Sequence, residues 1–179
     1  MKKLFLLAAI ALPLMWTSCG PGETKVEEEV IPKGMVAKDL TDLGQPVKIN
    51  IPDSSNGGLQ AMETPAGIQL RIGNGFDILV NTAGAEEQDL AKQKSLIEAT
   101  DAGMSTFTVN DASTLVWETK FGELSMFHFM TIVKIGTDVY YVRDNNGNPD
   151  NAFKKEQVDK MLESAKSLRG AKPAAAPEA

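Results

Sequence analysis

The stretch GIQLRIGNGFDILVNT, residues 67–82, constrains the fold more tightly than any other part of the chain. Ile68, Leu70 and Ile72 alternate with Gln69 and Arg71. After Gly73-Asn74-Gly75 the apolar positions resume at Phe76, Ile78 and Val80. A period of two sends successive side chains to opposite faces of a strand. Asn-Gly tolerates the positive φ that tight hairpin turns require. The segment is expected to form a β-hairpin with one apolar face.

Strand signals dominate the remainder. VKINI (47–51) alternates in the same way, and Leu59 to Glu63 follows the turn-rich run Pro52 to Gly58. STFTVN (105–110) and TLVWETK (114–120) flank Asp111-Ala112-Ser113, and MFHFMTIVKI (126–135) and DVYYVR (138–143) flank Gly136-Thr137 as a second hairpin. Two segments have helical spacing. Glu86 to Ala99 is acidic at its front, polar on one side, and closes near Asp101-Ala102-Gly103, so it should cover a sheet. Phe153 to Leu168 aligns Val158, Met161, Leu162 and Ala165 on one stripe, with Lys and Glu opposite. Together these predict an α+β fold: a largely antiparallel β-sheet with two main helices packed on it.

The first residues carry a different kind of signal. Lys2 and Lys3 precede the apolar run Leu4 to Met15, too short to span a bilayer comfortably. Cys19, the only cysteine, follows Thr17-Ser18 and precedes Gly20. A charged start, a short apolar core and then small residues describe a secretory signal peptide. The stretch around Cys19 resembles the lipobox of bacterial lipoproteins, with Trp16 and Ser18 where that pattern usually has Leu and Ala or Gly. The resemblance implies cleavage before Cys19 and acylation of its sulfur. Two or more acyl chains hold a protein stably to a membrane. A reactive thiol would need electropositive surroundings, whereas Glu23, Glu27, Glu28 and Glu29 follow. An internal disulfide has no second cysteine to use.

Charge narrows the partners. The chain carries 18 Lys and Arg against 24 Asp and Glu, a net charge of −6. Loss of Lys2 and Lys3 with the signal takes this lower still. Nucleic acid is excluded as a partner, because its affinity rests on cationic side chains neutralising phosphates. The expected organisation is a signal peptide over 1–18, a flexible acidic tether over 19–45, one domain over 46–169, and a disordered Ala/Pro tail over 170–179. The order of elements in 46–169, with a terminal helix ending in Ser164 to Leu168 (SAKSL), resembles the PsbP-like fold of extrinsic photosystem subunits and small bacterial exported proteins. That resemblance implies binding or assembly more than catalysis.

No catalytic constellation stands out. His128 is the only histidine and lies in the most apolar strand, sharing one face with Met126 and Met130. No nucleophile motif accompanies it, so it is expected to be structural. Structural zinc wants four Cys or His ligands, which the chain cannot supply. In DNNGNPDN (144–151), Asp144, Asn146, Asn148 and Asp150 are spaced like calcium ligands. However, Pro149 and Lys155 stand where an EF-hand loop needs Gly and Glu, and the stretch is expected to be a strand-to-helix loop. GNGFDI (73–78) joins two strands and lacks the phosphate-loop frame. Glu86 and Glu87 fit an exposed helix face. Trp117, Tyr140 and Tyr141 could line a groove or fill the core.

The expected function is that of a lipid-anchored protein of the bacterial cell envelope, at the outer membrane in preference to the inner. Its attachment residue is Cys19, and it displays a non-enzymatic domain for a protein partner, without cofactor or metal. The alternative is an envelope enzyme or small-ligand carrier, with a pocket between sheet and helices. A deep, polar-lined cavity holding His128 and convergent carboxylates would favour the alternative, and a filled core with no pocket the first reading.

Overall fold

A computed structural model describes residues 30–54, 58–101, 104–145 and 152–171. Cys19, the signal peptide and the tether up to residue 29 lie outside the described residues. So do Asn56-Gly57, Ala102-Gly103, residues 146–151 of the Asn-rich loop, and the tail from 172.

The fold is α+β. The strands are β1 (Met35–Asp39), β2 (Val47–Pro52), β3 (Leu59–Thr64), β4 (Gly67–Ile72), β5 (Phe76–Thr82), β6 (Ser105–Asn110), β7 (Thr114–Phe121), β8 (Leu124–Ile135), β9 (Asp138–Asp144) and the short β10 (Arg169–Gly170). The helices are α1 (Leu90–Thr100) and α2 (Lys155–Lys166). Seven strands form one antiparallel sheet in the order β3-β4-β5-β9-β8-β7-β6. A second, three-stranded antiparallel sheet has the order β1-β2-β10. Among the described residues, no helix is long and apolar enough to cross a membrane.

Strand alternation sorts the side chains into two cores. Ile68 and Leu70 of β4, Phe76, Ile78 and Val80 of β5, Val116, Phe129, Tyr140 and Val142 face one way. They meet Val158, Met161 and Ala165 of α2 and Val47, Ile49 and Ile51 of β2. Met161 is fully buried, and its sulfur accepts the N–H of Asp77 at 3.4 Å. The opposite face carries a smaller cluster of Leu115, Trp117, Met130 and Tyr141, joined by Ala83 and by Leu90 from the start of α1. Burial at roughly 25 cal/mol per Å² of apolar surface makes the first core the main source of stability.

The folded unit is longer at both ends than composition suggests. The tether expected through residue 45 stops earlier: a compact unit begins at Ile31, and β1 pairs along β2 from Met35 to Asp39. Leu40 is fully buried and its N–H donates to the Val47 carbonyl at 2.9 Å. Between β1 and β2 the chain makes a 3-10 turn at Thr41–Leu43. At the other end, Gly170 pairs with Val47 and the Ala171 N–H donates to the Pro46 carbonyl at 2.9 Å. In both cases the order comes from hydrogen bonds to distant backbone, which local composition does not encode.

Helix α1 starts four residues later than the acidic run implies. Asp89 is its N-cap and accepts the Lys92 N–H at 3.0 Å, so Glu86 and Glu87 lie in the preceding turn. Only Leu90 of α1 is buried, as expected for a helix that covers a sheet without entering a core.

Candidate functional site

Because α1 meets the sheet through few apolar residues, a cleft of about 650 Å³ remains between them. Its roof is Gln93, Leu96, Ile97 and Thr100 of α1, and its floor comes from β7, β8 and β9. The volume lies in the range of small-ligand sites.

Register builds the floor. Phe107, Trp117 and His128 are directly opposite one another across β6, β7 and β8. The Phe107 and Trp117 rings tilt against each other at 6.0 Å, and the His128 imidazole stacks on Trp117 at 5.1 Å. Lys94 of α1 places its ammonium 4.8 Å above the Phe107 ring, a cation–π contact from the roof. One row along, Arg143 of β9 is opposite Met130 of β8, which makes it a diagonal neighbour of His128.

His128 is not an isolated core residue. Its Nδ1 lies 2.9 Å from Asp144 Oδ2, and the other carboxylate oxygen accepts the Phe129 N–H at 2.8 Å. Asp144 is only 4% exposed. A carboxylate can only accept, so Nδ1 carries the proton, and in the neutral ring Nε2 keeps its lone pair. This fixed tautomer can take a hydrogen bond or a proton. Asp144 was the first residue of the calcium-like spacing, but its carboxylate is committed to β8 within the fold. Among the described residues no group of three or more His, Cys, Asp or Glu side chains converges to hold a metal ion.

A second carboxylate reaches the cleft from the end of α1. Asp101 Oδ2 accepts the hydroxyls of Ser105 and of Thr119, the latter at 2.9 Å. Tyr141 lines the same cleft, and its hydroxyl points to the Met130 sulfur at 3.7 Å. Burial pushes its phenol above the ordinary tyrosine value, with Arg143 opposing the rise.

The three aromatic residues left open by the sequence separate by alternation. Trp117 and Tyr141 line the cleft, while Tyr140 belongs to the main core. Asp101 and Arg143 are not singled out by any motif, and Asp144, the partner of His128, stood out only for its calcium-like spacing. The only sequence signal for Arg143 is its position two residues from Tyr141 in an alternating strand. GNGFDI is the β4–β5 turn (Gly73 to Gly75) followed by the start of β5, and Glu86 ion-pairs with Lys92 on the surface at 2.8 Å.

Comparison of the chain with protein-family models, with curated proteins and with solved structures finds no match in any of the three.

Proposed function

We propose that this chain is a bacterial envelope lipoprotein, held by acyl chains on Cys19, whose folded unit binds a small and largely apolar ligand beneath α1. The observation that carries the binding reading is the cleft itself: it holds His128 together with the carboxylates Asp101 and Asp144 between sheet and helix. This moves the weight from a protein-partner domain with a filled core to a small-ligand carrier. The polar groups are few and fixed in place, while Trp117, Met126, Met130 and Leu96 supply apolar surface, a combination suited to holding a molecule. Among the described residues Asp144, a carboxylate, is hydrogen-bonded to the His128 ring, and the reading offered is one of binding.

Nile red, a neutral apolar dye, tests the cleft. Saturable binding with quenching of Trp117 is expected in a W16F chain, where Trp117 is the sole tryptophan. Q93W, which sets an indole in the roof, should weaken binding roughly tenfold. Binding that ignores Q93W removes the cleft as the site. Loss of fatty-acid labelling in C19A tests the anchor separately.

The exposed side chains Phe121 and Leu124 at the β7–β8 turn favour a second reading, in which a protein partner rests on the mouth of the cleft. Crosslinking from a photoreactive residue at Leu124 in intact envelopes distinguishes it from small-ligand binding.

A further inference from the structure

We infer that the ligand is an organic anion with an apolar body, its charged head seated on Arg143. This rests on the cleft being a binding site and adds the chemical class of what it takes.

The argument is one of unfilled hydrogen-bonding capacity. Both carboxylates of the cleft are already engaged: Asp144 by His128 and the Phe129 N–H, Asp101 by the hydroxyls of Ser105 and Thr119. Arg143 is the exception. It forms no ion pair among the described residues. Among the described residues its side chain makes one hydrogen bond, a long donation of 3.4 Å to the backbone carbonyl of Asp144. A guanidinium presents five donors in a planar fork that matches a carboxylate, and it is half-buried here. Withdrawing it from water without an anion is unfavourable, and a ligand carboxylate removes that cost.

The apolar floor begins beside that charge. Met130 is directly opposite Arg143, Trp117 lies in the next row with His128, and β7 continues through Thr119 to Phe121. Trp117 to Phe121 spans about 13 Å at ~3.3 Å per residue, enough for a medium-length hydrocarbon chain. His128 lies diagonal to Arg143 on the neighbouring strand, and in its neutral form, with Nδ1–H on Asp144, its Nε2 carries a lone pair. An O–H or N–H next to the carboxylate would find its acceptor there.

Decanoate and decan-1-ol test this directly, titrated below their aggregation concentrations into the W16F chain with Trp117 emission as the readout. Decanoate should bind roughly tenfold or more tightly than the alcohol, the scale of one charge-assisted pair. R143Q should abolish that preference and leave alcohol binding within about twofold, while R143K should keep part of it. Equal affinity for acid and alcohol in the unmodified chain overturns the inference and leaves the cleft reading standing. Failure of both to bind overturns both. The acid-to-alcohol ratio in the unmodified chain is decisive even if R143Q does not fold.

Discussion

The rings of Trp117 and His128 stack with 5.1 Å between centroids and 25° between planes. The indole fixes one face of the imidazole and Asp144 fixes its Nδ1 edge, so the ring has little freedom left. Because His128 is the only histidine, ring-nitrogen NMR on a histidine-labelled chain reports it without overlap. The neutral ring should show Nδ1–H. In D144N the side-chain amide can donate to Nδ1, and the proton should move to Nε2. D144A leaves the Phe129 N–H and the imidazole unpaired, and should cost about 3 kcal/mol in denaturant unfolding. D144N retains an acceptor for Phe129 and should cost about 1 kcal/mol.

Gly67 and Gly136 should respond differently to the same substitution. Both have positive φ, +121° and +62°. At Gly67 an added Cβ would meet the Val80 carbonyl oxygen at 2.7 Å and Asn81 Cβ at 2.8 Å, on the neighbouring β5. At Gly136 it would meet nothing within 4 Å. G136A should cost about 1 kcal/mol from backbone strain alone. G67A must also push β5 away, and should cost about 3 kcal/mol, seen as a matching drop in melting temperature.

Two aspartates tilt the pH dependence of stability in opposite directions. Asp111 accepts the backbone N–H groups of Ser113 and Thr114, and these bonds, Ser113 first, hold its carboxyl below the usual value. Its contribution is present above the unfolded pKa near 3.8 and is lost as pH falls through the lower folded value. Asp77 is held above the usual value by burial, against the hydrogen bonds from Gln69 and Asn145. Here the fold binds the proton more tightly than the unfolded chain. Stability should fall as pH rises from about 3.8 through the raised folded value. D111N should flatten the acid limb of a denaturation-versus-pH curve. D77N should remove the decline above it.

Ser164 lies in the helix face packed on the main core, fully buried, and its hydroxyl has no hydrogen-bond partner among the described residues. S164A removes the orphaned group and raises helix propensity. It should stabilise the protein by about 1 kcal/mol in urea unfolding, with an unchanged slope.

The hairpin at 67–82 and the strands through 143 were legible because period-two alternation is a local pattern that the buried face enforces. The α2 stripe was legible for the same reason at helical period. β1 was not: MVAKD shows no period-two alternation and none of its residues is fully buried, and its order comes from pairing with β2. The site was the least legible part. Alternation puts His128 on a face with Met126 and Met130, but its partner is 16 residues away and reached only through the β8–β9 pairing. The same residue, Asp144, looked like the start of a metal-binding loop because spacing says nothing about which way a strand-end side chain turns. The Phe107–Trp117–His128 row also depends on register, which short strands do not declare in advance.

The order of strands in the large sheet leaves it two open rims, and they differ. At β6 the pairing with β7 slips between Phe107 and Val109, and Thr108 turns its hydroxyl to the Val116 carbonyl. That irregularity twists the rim away from a straight template. At β3 the pairing with β4 runs unbroken from Leu59 to Thr64, with Met62 exposed and Glu63 as the one charge. Unbroken strand rims invite other chains to add to them. Were this protein brought to high concentration, β3 is the rim along which sheets would join, and M62K is the substitution that would keep molecules apart.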